Sequence, residues 1–442
     1  MMFLHSRGYE PRSVAEHENN QTTGLSPKGE RVSREAGRVR GLPGNRLAGL
    51  AGLLLVVWAQ DWPQWRGPNR DGVSGAFSEA KAWPEKLKLK WKVNVGEGHS
   101  SPVVVDGKIY LHTRQADREV VSCLRTETGQ VIWQEGYAAP YTVVPAAASH
   151  GKGVKSTPVV AGGRIFTFGI SGILSCFDSN TGKLRWRKEF GSPDFGVAMS
   201  PVVDRGLLIA YVGTNGHGAL TAFDAETGAE KWSWKGDGPA YASPIVADLG
   251  GTRQVVTQSQ NNIVGVSAAT GELLWQIPFS TPYEQNIVTP VLYHQTLIFS
   301  GLSNGVLGVK VLKRGSRWLT ETVWQTKDVG MYMSSPVVSG DLLFGFSHLK
   351  RGQFFCLDPS NGAILWTSEG RQGDNAAIID GGSVLLLLTD EAELIVAREN
   401  GKAFEPLRKY SVADSPTWAH PVILNNGILI KDATTLALWG TE

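Results

Sequence analysis

Eight residues of this chain, His99, Lys155, Ala198, Tyr241, Ile287, Met333, Asp374 and Trp418, each stand two places ahead of the same short motif. Two aromatic rings, two potential cations and one carboxylate could together hold a flat anionic ligand by stacking and charge-assisted hydrogen bonds. The plainer alternative is a set of side chains that seals a channel mouth. The stretch from Gly136 to Lys155, which carries His150, is far longer than an ordinary turn, and long loops in compact domains tend to carry function. It is expected to cover that mouth. His99 and His150 could meet near Lys155, but two histidines without a third ligand make a poor zinc site, so no metal is assigned there. No catalytic residue is assigned either.

The elements that must gather these residues announce themselves by repetition. The motif is a small polar residue, a proline and two aliphatics: Ser101-Pro102-Val103-Val104, Thr157-Pro158-Val159-Val160, Ser200-Pro201-Val202-Val203 and Ser243-Pro244-Ile245-Val246. It continues as Thr289-Pro290-Val291-Leu292, Ser335-Pro336-Val337-Val338, a degenerate Ala376-Ala377-Ile378-Ile379, and His420-Pro421-Val422-Ile423. The prolines recur about every 46 residues, a period that signals a solenoid or propeller. Proline is tolerated at the first residue of a strand, where no ladder donor is required, and the aliphatics suit a buried inner strand. Each motif is followed by a turn such as Asp106-Gly107 and a second strand such as Lys108-Ile109-Tyr110-Leu111. The expected fold is all-β, an eight-bladed propeller of four-stranded antiparallel blades over residues 86–442. Only about three strands follow the last motif. The segment Leu87–Val93 is the candidate for the missing outer strand, which would close the ring and remove its exposed edges.

A second signature marks the third-to-fourth strand turn, as in Phe177-Asp178-Ser179-Asn180-Thr181-Gly182. Glycine supplies positive φ there and the aspartate can cap the loop's own amides. Four residues after the glycine comes tryptophan: Trp133, Trp186, Trp232, Trp275 and Trp366. Trp91 lies 42 residues before Trp133, and Trp324 follows a longer turn through Lys313 and Trp318. These seven tryptophans are expected to wedge between blades, each indole N–H finding a backbone acceptor. Their even spread round the ring argues against an aromatic ligand cage. The seventh repeat has Glu405 where tryptophan would stand.

Composition narrows the function classes. The net charge is +2, with no basic stripe, so nucleic acid is not an expected partner. Residues 1–37 are polar and unpatterned, read as a disordered extension or a mis-assigned start. Arg38, Arg40 and Arg46 then precede the apolar run Leu47–Trp58, too short to span a bilayer, so 38–59 reads as a removed export signal. Removal of 1–59 leaves 35 basic against 36 acidic residues. A leader strap, 60–85, follows. The chain is expected to be periplasmic or secreted and monomeric, with no transmembrane segment after signal removal. Cys123, Cys176 and Cys356 occupy equivalent repeat positions, which keeps them too far apart to bridge; they read as buried, inert thiols.

The Asp-x-x-Thr-Gly-x-x-x-Trp pattern resembles the tryptophan-docking motif of eight-bladed propellers of the pyrroloquinoline quinone (PQQ) type. The likeness extends over residues 61–442. It implies one of two functions. The first is a non-catalytic scaffold that binds a protein partner in the cell envelope, similar to outer-membrane assembly factors of the BamB type. The second is a PQQ- and calcium-dependent dehydrogenase of alcohols or sugars, or a PQQ-binding protein. Members of the enzyme branch carry an adjacent cysteine pair beside the quinone, and this sequence has no Cys-Cys and no evident calcium constellation. The scaffold is therefore the expected function, with no cofactor assigned.

Overall fold

The computed structural model describes residues 61–75, 77, 83–425 and 427–441. The expected extension and export signal lie outside the described residues. Among the described residues there are eight four-stranded antiparallel sheets, each ordered from an inner to an outer strand. Blade one is Val103–Val105, Lys108–Gln115, Arg118–Arg125 and Val131–Ala138. Inner strands of the next six begin at Val159, Val202, Ile245, Val291, Val337 and Ala376. The eighth sheet joins both ends of the chain: Lys88–Asn94 pairs antiparallel with Thr435–Gly440, outside Gly427–Lys431 and Val422–Leu424. Among the described residues no helix is long and apolar enough to cross a membrane.

Seven inner strands start directly after the motif's proline, which has no N–H to give the ladder. Blade seven lacks the proline, and its inner strand starts earlier, with Ala376 paired to Thr389 and Ala377 to Leu388. The small polar residue of the motif has its own task. His420 N donates to Ser101 Oγ (2.8 Å), Ser101 N to Thr157 Oγ1 (3.1 Å), Thr157 N to Ser200 Oγ (2.9 Å) and Ser200 N to Ser243 Oγ (2.9 Å). Thr289 N donates likewise to Ser335 Oγ (3.1 Å). Five blades thus hand a backbone amide to a hydroxyl of the next. Ala376 offers no hydroxyl, and there the link reverses: Ala376 N donates to Ser334 Oγ (3.1 Å), which donates to Asn375 Oδ1 (2.6 Å).

The outer contacts are made by tryptophan. Trp91, Trp133, Trp186 and Trp232 donate their indole N–H to Thr126 O, Ser179 O, Ala225 O and Ala268 O, each in the turn of the following blade. Trp324 and Trp366 reach Pro359 O and Asn400 O in the same manner. Trp275 departs from this pattern. Blade five has a long hairpin, Gly305–Arg314 with Arg317–Thr326, in place of the Thr-Gly turn, and Trp275 donates instead to Gln254 Oε1 of its own blade (2.7 Å). Glycine is required where the ring lands: a Cβ on Gly182 or Gly228 would stand 2.6 or 2.8 Å from the Trp133 or Trp186 ring. The residue paired with six of these tryptophans on their own third strand is small as well, whereas Trp91 pairs with Leu438. The small residue is Cys123, Cys176, Ala222, Gly265, Gly308 or Cys356. The three cysteines therefore fill a small-residue slot beneath an indole; they are free and buried, with burial pushing their thiols up to about 11, 12 and 12.

This packing makes a measurable claim. Gly228 has φ +73° and would meet Trp186 with any side chain. Gly228→Ala should lower stability by about 1–2 kcal/mol from backbone strain, plus a steric share. On a Trp186→Ala background the steric share should vanish, so urea or thermal unfolding of the two single variants and the double variant should be non-additive.

Candidate functional site at the channel rim

The segments that enter the inner strands converge on one rim, where they are stitched to one another. His99 N and Ser100 N both donate to Val154 O (2.7 and 2.9 Å), and Tyr241 N and Ala242 N both donate to Asn286 O (3.0 Å each). Seven of the eight residues singled out from sequence, His99, Lys155, Ala198, Tyr241, Ile287, Met333 and Trp418, line one chamber of about 210 Å³. Asp374 does not. It is exposed, and Asn375 lines the chamber in its place. The cause is the degenerate blade: Asp390 Oδ1 accepts from both Asp374 N (3.0 Å) and Asn375 N (3.1 Å) where other blades enter through proline.

The long connection after blade one forms the cover. Gly136–Ala138 belongs to the outer strand, and the remainder carries a 3-10 helix, Pro145–His150, whose Ala146, Ala147 and His150 line the chamber. His99 Nε2 contacts His150 O at 3.1 Å, and the His150 ring stands edge-on to Trp418, 4.8 Å between centroids. Opposite, the rings of Phe195 and Tyr241 meet at 5.9 Å, and Tyr332 OH donates to Gln285 Oε1. Phe195, Gln285 and Tyr332 escaped the sequence reading because one residue per blade was taken. Each precedes the chosen position by one to three residues, so a wider window on the same register would have found them.

The floor comes from the leader. Trp62 pairs with Val104 through both backbone groups (2.7 and 2.9 Å), and Pro63 O accepts from Val160 N (2.8 Å). Arg70 reaches Ser200 O and Pro201 O, Trp65 Nε1 donates to Thr289 Oγ1 (3.2 Å), and Arg66 donates to Pro336 O. Gly72 and Ser74 pair with Asp380. The leader's hydrogen bonds thus reach the innermost strand of blades one, two and seven, and the entries to blades three, five and six. Trp65 faces the chamber and packs on His420, 4.3 Å between rings.

Charge in the chamber is one-sided. No aspartate or glutamate is among its lining residues. Lys155, whose Nζ donates to Phe195 O (2.8 Å), is its one lysine or arginine, and burial pushes it down to about 8. Behind the wall, burial also brings Lys431 to about 8, with Asp432 opposing; its Nζ is held by the carbonyls of Gly98 and Asp432. Burial first, then the Lys431 charge, pushes His99 down to about 3, and burial with the Arg66 charge does the same to His420. At neutral pH the site therefore presents aromatic faces, neutral imidazoles and one ammonium. Calcium needs six to eight oxygens, usually with carboxylates, and a lining without carboxylates does not fit it. Among the described residues no group of three His, Cys, Asp or Glu could hold a metal. The three thiols sit within blades, away from the rim. The residues present do not fit a quinone–calcium pair.

The depressed histidines set the acid response. In the unfolded chain each takes up a proton near pH 6.5; in the folded chain neither does until about pH 3. Between these values the unfolded state binds more protons, so stability is complete above pH 6.5 and falls as pH drops. The slope is about 1.4 kcal/mol per pH unit for each histidine. Thermal midpoints from pH 7 to pH 4 should fall more shallowly for His420→Asn than for the parent chain.

Residues 117–368, more than half of the chain, match the family model described as outer membrane protein assembly factor BamB. A BamB from Shewanella oneidensis is 26% identical over 289 residues, 60% of this chain and 70% of that protein. The crystal structure of BamB from Moraxella catarrhalis superposes with a TM-score of 0.58 at 16% identity, covering 80% of this chain and 99% of that one. The quinohemoprotein alcohol dehydrogenase of Comamonas testosteroni superposes with a TM-score of 0.64 at 15% identity, covering 86% and 80%. At these identities the two superpositions speak for the fold, which both branches share. Membership rests on the sequence match: the chain belongs to the BamB family of PQQ-type propellers.

Proposed function

We propose that this chain is an exported, non-catalytic propeller that works on the periplasmic side of the cell envelope by binding a protein partner, a reading supported by its likeness to outer membrane protein assembly factors. The observation that carries this reading is the composition of the rim chamber. It offers aromatic surface and one buried ammonium, but no carboxylate to act as a general base or to hold calcium, and no thiol. A site of that make-up suits binding; it has no carboxylate to take a proton from an alcohol, and its His99 and His420 imidazoles, held down to about 3, are weak bases. His99, His150, Lys155, Tyr241 and Trp418 are the residues we assign to the recess, with Asn375 in place of Asp374. The 3-10 helix over the recess gives a partner a raised edge against which to register.

Two measurements test this. Titration of the purified chain with PQQ and calcium should give no saturable quinone absorbance and no dye reduction with alcohols or sugars; turnover would overturn the scaffold. Photo-crosslinking in intact cells from a probe at Tyr283, which is 79% exposed, and from one at Trp418 should trap protein from the Trp418 site. Trp418→Ala, read from a probe at the neighbouring His150, should weaken that crosslink several-fold. Recovery of no protein from either rim probe would count against a partner at this face.

A further inference from the structure

The leader places two arginines inside the propeller without an ion pair at contact distance for either. Arg66 is 0% and Arg70 3% exposed. Among the described residues neither has a carboxylate within ion-pair distance. Arg66 uses Nη2 alone, toward the carbonyls of Asp71 and Pro336; its Nε and Nη1 find no acceptor in the protein. The Asp71 carboxylate, which accepts from Val73 N (3.0 Å), offsets the burial of Arg66 only in part and from beyond ion-pair distance. Arg70 satisfies both Nη atoms on Gln64, Ser200 and Pro201 but leaves Nε without an acceptor. His420, packed on the adjoining Trp65, is buried with its Nδ1 unpartnered.

Buried charge without a partner costs several kcal/mol per ion, and stranded N–H groups add to it. The backbone also bends to put the arginines there. Arg66 and Arg70 have φ of +60° and +61°, the left-handed region that non-glycine residues rarely enter, and such strain concentrates at ligand sites. Had these side chains been needed only to clip the leader to carbonyls, neutral amides would do so without the buried charge.

We propose that the axial channel holds a small inorganic monoanion of the chloride class, bound by the unpaired N–H groups of Arg66, with Arg70 and the Nδ1–H tautomer of His420 beside it. A monoanion is favoured over phosphate or sulfate because the cost of stripping water from an ion rises with the square of its charge. The anion balances two buried cations, and the Arg66 charge bears on both Arg70 and His420. It makes the leader's insertion dependent on a bound ion.

The probe is bromide, which replaces chloride and is visible by anomalous scattering. Crystals of the full chain grown in bromide should show an anomalous peak at hydrogen-bonding distance from the Arg66 guanidinium. In solution, the thermal midpoint at constant ionic strength should rise saturably with chloride or bromide against a bulky organic anion, by about 2 °C or more. Arg66→Met should abolish the saturable part. Water in place of the peak, or a salt response that is linear and unchanged in Arg66→Met, would overturn the proposal. If Arg66→Met does not fold, the anomalous map of the parent chain decides alone.

Discussion

A relay of hydroxyls holds this ring together. At the start of the inner strands, where proline prevents a ladder bond within the blade, the preceding backbone N–H is free and the neighbouring blade's serine or threonine takes it. The motif is therefore one device with two halves: proline stops the ladder, and the hydroxyl of the adjacent copy satisfies the amide that is left. Blade seven shows the dependence. Without proline its strand lengthens, without the hydroxyl the link reverses to Ser334, and the residue facing the chamber changes from Asp374 to Asn375.

The outer joints follow a parallel logic with different chemistry. An indole from one blade lies on the glycine of the next blade's turn and donates to a carbonyl there, over a small residue on its own third strand. Glycine, cysteine or alanine stands beneath the indole in blades one to six, and Leu438 beneath Trp91. Blade five, with a long hairpin in place of the turn, gives Trp275 no such carbonyl, and the indole turns inward to Gln254.

Between these joints the leader converts a tube into a floored vessel. Its backbone borrows Val104, Val160 and Asp380 as strand partners, and its arginines grip carbonyls at the feet of the inner strands. The chamber above inherits Trp65 as its base and the Pro145–His150 helix as its cover. Desolvation then determines its chemistry. Two histidines that would titrate near neutrality are held neutral, and a lysine remains as the one cation among its lining residues. On the function we propose, such a recess would recognise its partner by shape, stacking and a single charge.

The repeat, the strand order within a blade and the seven rim residues that meet in the chamber were legible in the sequence because they are periodic. A residue at a given distance from a proline keeps its register in every copy. The sequence alone also determined that the cysteines would be buried singly, since equivalent positions in a ring stay apart. What only the tertiary structure decided lies in the aperiodic parts. Nothing in the local pattern of Asp61–Ser74 says that it enters the axis, because its partners, Val104, Ser200, Thr289, Pro336 and Asp380, are spread over most of the chain. The exchange of Asp374 for Asn375, the inward turn of Trp275 and the burial of Arg66 and Arg70 all depend on what a neighbouring element offers in space. Spacing fixes where a side chain starts; the neighbours that reach it decide where it ends.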